Sequence, residues 1–345
     1  MINLLAPINK LSYGNVSTGL LYGLQQLNQS ARLYPIQLSE SYPEYASAIQ
    51  QSLKNSEEID INSPSVRIYH QFALAEHVGT PRIGFPIFEL DKFTPREKSH
   101  INSCDRILVC SKWAKQIVES ETSRKADVVP LGVNTNIFRP VNSPTRTIFL
   151  VTGKLEIRKG HDIVAQLFSS AFEPNDDVEL WFWVNNPFLN EKDVTNWKNY
   201  FTRTKMGPNI RFVPYLNSLQ DVANLYNSVT AGICISRAEG WNLPLLELMA
   251  CGRKNIVTNY SGHTEFCTNE NSYLVNIDKM ETAYDGYWFK NDLGNWAVLG
   301  KDQKDQIIEY MRLIHRNKPT IDQNCVKTGE KFTWQNMAQT LLSTI

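Results

Sequence analysis

The sequence predicts an α/β protein of two domains, each a mainly parallel sheet covered by helices, facing one another across a cleft. Three observations carry this. The chain has 345 residues, 42% of them hydrophobic, too many for one ordinary core and suited to two domains of about 150 residues each. Short apolar runs alternate with stretches of helical period along the whole chain, the order expected of parallel sheets. Around Arg139 to Arg146 the segment RPVNSPTR interrupts that alternation with two prolines and no periodicity, which marks a linker. It divides the chain into residues 1–140, residues 141–330 and a terminal helix over 331–345.

The elements follow in order. INLLAP reads as the first core strand. Its apolar run is far shorter than the ~18 residues a membrane span needs, and MINLLAPINK has no basic leader, so a cytoplasmic protein is expected. Next, VSTGLLYGLQQL places Val16, Leu20, Leu24 and Leu27 on one helical face. ARLYPIQL, SVRIYH, RIGFPIF, DRILVC and ADVVPL read as strands, with SKWAKQIVES a helix among them. The second series opens with the strand TIFLVT and continues through a helix near GHDIVAQLF, the strands VELWFWV and NIRFVPY, and a helix at SLQDVANLYNS. It ends with the strand AGICIS, a helix from Pro244 and the strand NIVTNY. NDLG at 291–294 reads as a turn. In TWQNMAQTLLSTI, Trp334, Met337, Leu341 and Ile345 recur by three and four, predicting a helix that crosses back to brace the first domain. Trp181 and Trp183 share one face of their strand and read as core aromatics.

Composition excludes several classes. Lysine plus arginine equals aspartate plus glutamate at 35 each, and residues 1–140 carry 14 basic against 13 acidic side chains. A nucleic-acid or anionic-membrane binder ordinarily shows a basic excess, because phosphate neutralisation supplies much of its affinity. The six cysteines form no C-x-x-C pair and no zinc-like spacing with histidine. They read as reduced, packed thiols. No G-x-G-x-x-G follows a candidate strand, which argues against a nicotinamide dehydrogenase.

The stretch SRAEGWNLPLLELMACG, residues 236–252, turns from a buried strand into a helix, the place where α/β sheets bind ligands. Pro244 suits the first helical turn and Gly240 permits close backbone approach. The N–H groups of Trp241, Asn242 and Leu243 therefore remain available to an anion such as a diphosphate. Glu239 and Glu247 flank this seat. Carboxylates repel phosphate, so a functional pair here accepts hydrogen bonds from hydroxyls, as on a sugar and a ribose. Taken alone, Glu239 equally suits a solvated loop and Glu247 a helix-dipole role. The second stretch, GKLEIRKG at 153–160, gathers Lys154, Arg158 and Lys159 after the first strand of its domain. It suits phosphate charge, and by itself also an ordinary solvated loop.

Together these two stretches resemble the retaining glycosyltransferases of the GT-B fold, family-four type, with two Rossmann-like domains. The resemblance is clearest over 153–265. GKLEIRKG matches the family's G-R-L-x-x-x-K-G loop with Lys154 in place of arginine, and Glu239 and Glu247 match its two glutamates eight positions apart. It implies that Glu239 contacts the donor-sugar hydroxyls, Glu247 the ribose, and Lys154 with Lys159 the diphosphate. The backbone of Gly240, Trp241, Asn242 and Leu243 would complete the site, with Pro214, Tyr215 and Leu216 beside the base. LSYGNVSTG resembles the glycine-containing loop after the first strand, bringing Gly14 toward the donor. VVPLGVNTNIFRP resembles the segment leading into the linker. His70, at the end of SVRIY, is placed near the reacting sugar, and a packing role suits it equally. The departures are Tyr13-Gly14-Asn15 for a glycine pair, E-G-W-N for E-G-F-G, and Asn134 for aspartate.

The resemblance implies transfer of a hexose, with retention, from a UDP-glucose-like sugar or GDP-mannose to an acceptor hydroxyl. The cations and the helix N-terminus would stabilise the departing diphosphate, with no metal and no cofactor. The acceptor is left open among lipid, polysaccharide, protein and modified nucleic acid, with glycan or lipid favoured on charge and peripheral membrane contact allowed. Glu89 and Asp91 in FPIFELDKF are candidates to face it, or to be solvated or capping, and His263 is treated alike. A nucleotide-sugar epimerase or phosphorylase and a non-catalytic sugar-binding descendant are the rival readings.

Overall fold

A computed structural model describes residues 1–345 apart from 142, 143, 291 and 292. The first sheet is built from β1 (Ile2–Ile8), β2 (Ala31–Leu38), β3 (Ser65–Ile68), β4 (Arg82–Phe85), β5 (Arg106–Val109) and β6 (Ala126–Val128). Helices α1 (Ser12–Gln26), α2 (Ala46–Lys54), α3 (Pro95–Ser103) and α4 (Lys112–Glu121) connect them. Every pairing is parallel, in the order β2-β1-β3-β4-β5-β6. β1 sits inside the sheet because INLLAPI is buried almost throughout, as a strand covered on both faces must be.

The second sheet repeats the scheme. Its strands are β7 (Thr147–Gly153), β8 (Val178–Val184), β9 (Ile210–Phe212), β10 (Ala231–Cys234), β11 (Asn255–Thr258) and β12 (Ser272–Val275), ordered β12-β11-β10-β7-β8-β9 and again parallel. Around it lie α5 (His161–Ala171), α6 (Glu191–Thr202), α7 (Leu219–Asn227) and α8 (Leu243–Ala250). A short antiparallel pair, β13 (Met280–Thr282) with β14 (Asn295–Ala297), precedes α9 (Lys301–Asn317), α10 (Gln323–Lys331) and α11 (Trp334–Thr344). Trp181 and Trp183 are half-buried against the apolar core, Trp183 edge-on to Tyr226 at 6.0 Å.

Helix α11 lies on α1 in direct contact. A Cβ at Gly19 would stand 2.3 Å from the Trp334 ring, and one at Gly23 would stand 2.1 Å from the Trp334 carbonyl oxygen. Two glycines thus create the groove that takes the buried indole. Helix α1 starts at Ser12, so residues 12–15, which the motif resemblance places in a loop, form its first turn. Parts of the linker and of the NDLG turn, residues 142, 143, 291 and 292, lie outside the described residues. All six cysteines are free and buried. Among the described residues no helix is long and apolar enough to cross a membrane.

Candidate active site in the cleft

The loops that follow the C-terminal ends of both sheets meet each other. From the first domain come the ends of β1 (Lys10), β3 (His70), β4 (Ile87 to Asp91) and β5 (Cys110, Lys112). From the second come the ends of β7 (Lys154 to Lys159), β9 (Tyr215), β10 (Glu239 to Asn242) and β11 (Ser261 to Glu265). This is the crevice where parallel sheets bind ligands.

The loop after β7 folds onto the loop after β10. Gly160, at φ +77°, allows it: a side chain there would meet the Ile235 carbonyl at 2.5 Å. Arg237 then pairs with both oxygens of Asp162 at 2.8 Å, and Arg158 donates to the Ala238 carbonyl at 2.7 Å. Glu239 is the focus. Its carboxylate accepts from Lys159 at 2.6 Å, Ser236 at 2.7 Å and Arg158 at 3.1 Å. Burial alone would raise this carboxyl, but the charges of Lys159 and Arg158, with the hydrogen bonds from Lys159 and Ser236, hold it down at about 2. Glu239 is therefore an anion throughout the physiological range.

Behind Glu239 the chain is pinned: the Ser261 hydroxyl accepts from the Glu239 N–H at 2.8 Å and Gly262 donates to the Glu239 carbonyl at 2.9 Å. Asn242 stands at φ +82° as the residue before α8. Asparagine tolerates this left-handed region far better than a branched residue, so it fits where the resembled motif has glycine. The N–H groups of Gly240, Trp241, Asn242 and Leu243 have no protein acceptor among the described residues, so they form a row of orphan donors at a helix start. The Trp241 side chain takes no part. It is buried, 4.9 Å from Phe266 and 5.7 Å from Phe332, with an unpartnered Nε1.

Glu247, one turn into α8, accepts from the Tyr226 hydroxyl at 3.2 Å. Burial pushes its carboxyl up to about 7, against the Tyr226 hydrogen bond that lowers it. Tyr42 and Tyr45 of the first domain feel its charge, and Tyr42 also feels Tyr215. Tyr215 is exposed, with the Lys10 ammonium 5.7 Å from its ring centre. Pro214 is exposed beside it, and Leu216 packs partly into the core.

The remaining predicted residues fall at different depths. Lys154 lies over the Phe188 ring at 5.1 Å, and its charge is felt by His70. The Lys159 ammonium is engaged by Glu239 at 2.6 Å. His70 opens toward the cleft, stacked on Phe72 at 5.2 Å and edge-on to Tyr13 at 4.7 Å. Desolvation, then the charge of Lys154, lowers its pKa, keeping the ring neutral. Gly14 lies inside the first turn of α1, where a Cβ would come within 2.2 Å of the Asn9 carbonyl. Packing alone requires glycine there. His263 is buried and bonded to the Thr258 carbonyl, and Asp91 accepts from the Asn295 backbone at 2.7 Å and side chain at 3.2 Å.

Three groups come forward to which the motif resemblance assigns no role in donor binding. Arg158, buried, pairs with Glu156 at 2.8 Å as well as with Glu239. Glu89 reaches it from the first domain at 3.7 Å, its carboxyl raised by burial despite Arg158. His161, buried beside Lys159, is pushed down to about 3, first by burial and then by that lysine. Arg158 had a local signal as the third cation of its loop and Glu89 as an acidic residue after a strand, whereas His161 had none.

Two Rossmann-like domains with parallel sheets facing across a cleft make up the GT-B fold. The sucrose-phosphate synthase of Thermosynechococcus elongatus superposes with a TM-score of 0.72 at 12% identity, covering 99% of this chain and 97% of that one. HepE of Anabaena, solved in complex with UDP-glucose, gives 0.70 at 14% identity, covering 99% and 98%. Residues 146–285 match the family model described as Glycosyl transferases group 1. Among curated relatives, the mannosylfructose-phosphate synthase of Agrobacterium fabrum is 23% identical over 70% of this chain and 53% of its own length. The GDP-mannose-dependent alpha-(1-6)-phosphatidylinositol dimannoside mannosyltransferase of Mycobacterium tuberculosis is 20% identical over 70% of this chain and 57% of its own length. The chain thus spans little more than half the length of these relatives.

Proposed function

We propose that the protein is a retaining hexosyltransferase that takes its sugar from a nucleotide diphosphate donor and passes it to a hydroxyl of a glycan or lipid. The observation that carries this reading is the ionised Glu239, held by Lys159 and Arg158 next to the unpartnered N–H row of residues 240–243. An anion acceptor for sugar hydroxyls and a donor row for phosphate lie side by side, which is what a sugar diphosphate needs. Lys159, Lys154 and the α8 N-terminus would stabilise charge developing on the departing diphosphate, acting as preorganised electrostatics without a metal or cofactor. Glu247 would accept from the ribose hydroxyls, and the backbone at Pro214 to Leu216 would border the base. His70, neutral and open to the cleft, would sit beside the reacting sugar. Relatives named for UDP-glucose complexes and for GDP-mannose dependence favour a nucleotide-sugar donor, with UDP-glucose or GDP-mannose as first choices.

The test begins with thermal shift against a nucleotide-sugar panel, since a ligand of the folded state raises apparent stability by mass action. Product analysis with and without acceptors, reading the anomeric configuration by NMR, follows. Glu239→Ala and Lys159→Ala should each lower transfer by at least ~100-fold while leaving a cooperative melt. Full turnover in either variant overturns the assignment, and donor binding without transfer to any acceptor identifies a non-catalytic protein.

A further inference from the structure

Outside the cleft, on the far side of the loop after β7, lies a groove of about 620 Å³. Its floor is one face of α6, where Asp193, Asn196, Trp197 and Tyr200 succeed each other at helical spacing. Its opposite wall is the loop 285–288, and its inner wall is Leu155 to Ile157, the outer surface of the turn that holds Arg158 and Lys159. Loop 285–288 is built to hold its shape: one Asp285 oxygen accepts from the N–H groups of Tyr287, Trp288 and Phe289 at 2.8 to 2.9 Å. Tyr287 donates to the Phe188 carbonyl at 3.1 Å, and Trp288 meets the Phe188 ring edge-on at 5.4 Å.

Three features define what fits. Phe188, Tyr287 and Trp288 remain 48%, 49% and 46% exposed, a rigid aromatic rim that no part of the described chain covers. Of the lining carboxylates, Glu156 is paired with Arg158, Asp162 with Arg237, and Asp285 is engaged by its own loop. Among the described residues Asp193 stands free, and no lysine or arginine lines the groove to receive a phosphorylated or otherwise anionic occupant. Asp193's carboxylate and Asn196's carboxamide have no protein partner among the described residues. Flat apolar rings joined to free hydrogen-bond acceptors suit a pyranose chain, which offers C–H faces to the rings and hydroxyls to the carboxylates. The rim also reaches the cleft, since Lys154 lies over Phe188.

We infer that this groove is a binding subsite for a neutral oligosaccharide, the part of a glycan acceptor remote from the reacting hydroxyl. As an acceptor subsite it rests on the transferase reading; as a saccharide site it is tested without it. The experiment titrates the intact protein with neutral oligosaccharides, maltopentaose, mannopentaose and cellopentaose among a wider neutral array, by intrinsic tryptophan fluorescence and ligand-observed NMR. Saturable binding is expected, weakened by ~10-fold in Trp288→Ala and in Asn196→Ala and largely kept in Trp288→Phe, the loss of one stacking contact. Because Trp288 and Asn196 are exposed, these variants should melt like the parent and keep their thermal shift with UDP-glucose or GDP-mannose. Oligosaccharide binding without any nucleotide-sugar shift would leave the subsite standing and sink the transferase reading. Absence of saturable binding across the array, or binding indifferent to Trp288→Ala, overturns the subsite. So does dimerisation, or vesicle co-sedimentation, that Trp288→Ala abolishes without any saccharide effect, because a second copy or a membrane would then own the patch.

Discussion

At residue scale, backbone geometry and burial assign different tasks to neighbouring side chains. Asn242 occupies a left-handed conformation that glycine adopts freely, so Asn242→Gly should leave denaturant stability within about 0.5 kcal/mol, whereas Asn242→Val should cost ~1–2 kcal/mol. Glu239 and Glu247, eight positions apart, are driven in opposite directions. Glu239 is pulled down to about 2 by paired cations. Glu247, lacking one, is pushed up to about 7 by burial. For Glu247 the folded protein favours the protonated form, so its contribution to stability is full below the ordinary carboxylate range and is lost as pH rises through about 7. If the proposed donor binds through this carboxylate, binding carries the opposite sign. Affinity for the nucleotide sugar should rise by up to ~10-fold between about pH 6 and pH 8, and Glu247→Gln should flatten both trends in paired calorimetric titrations and melts. The glutamate pair and the cationic loop were legible because each lies within one short segment. Glu89 facing Arg158 was not: an ion pair between positions 69 residues apart leaves no local pattern to read.

Among the elements, strands rich in apolar and β-branched or aromatic residues announced themselves clearly even where helices cover them incompletely. The edge strand β2 and the partly buried β8 occupy the runs ARLYPIQL and VELWFWV end to end. Helix α9 carries a signal of the same quality in Ile307, Met311 and Ile314, spaced by four and three and all buried. Helix α6 is harder, because of its twelve residues only Phe201 is fully buried. The start of α1 was obscured by Tyr13, Gly14 and Asn15, which look like a loop until Gly14 is seen wedged against Asn9. The α1–α11 contact yields a sharper expectation. Gly19→Val or Gly23→Val would drive methyl groups into Trp334, and overpacking of this kind costs ~1–3 kcal/mol. Each should lower the melting temperature, and Trp334→Ala combined with Gly19→Val should recover part of the loss relative to additivity. Strict additivity in that cycle would place the indole elsewhere.

For the whole molecule, the two sheets meet through a small set of polar contacts ringing the cleft. Lys112 N–H donates to Glu265 at 2.7 Å, Gln220 N–H to Glu44 at 3.2 Å, and Cys110 donates to the Gly240 carbonyl at 3.1 Å. The closest two-point clasp is Asp91, which binds the backbone and the side chain of Asn295. It lies two residues from Glu89, which faces Arg158, so fastening it also sets the distance between the first domain and the cluster around Glu239. A hydrogen bond to a charged group contributes ~1.5–3 kcal/mol, which is enough to shift an open-closed balance by ~10–100-fold. Asp91→Ala should therefore broaden the interdomain distance distribution seen by small-angle scattering or by paired spin labels, while the melting of each domain core changes little. If closure assembles the donor site, the same variant should lose donor affinity by the fraction of closed molecules lost, and Asn295→Ala should reproduce it without further effect in the double variant. Unchanged distances together with unchanged donor affinity would mean that the clasp is incidental and that the domains are held by their apolar contacts, with Gly240 against Ile87 and Phe88 as the place to look next.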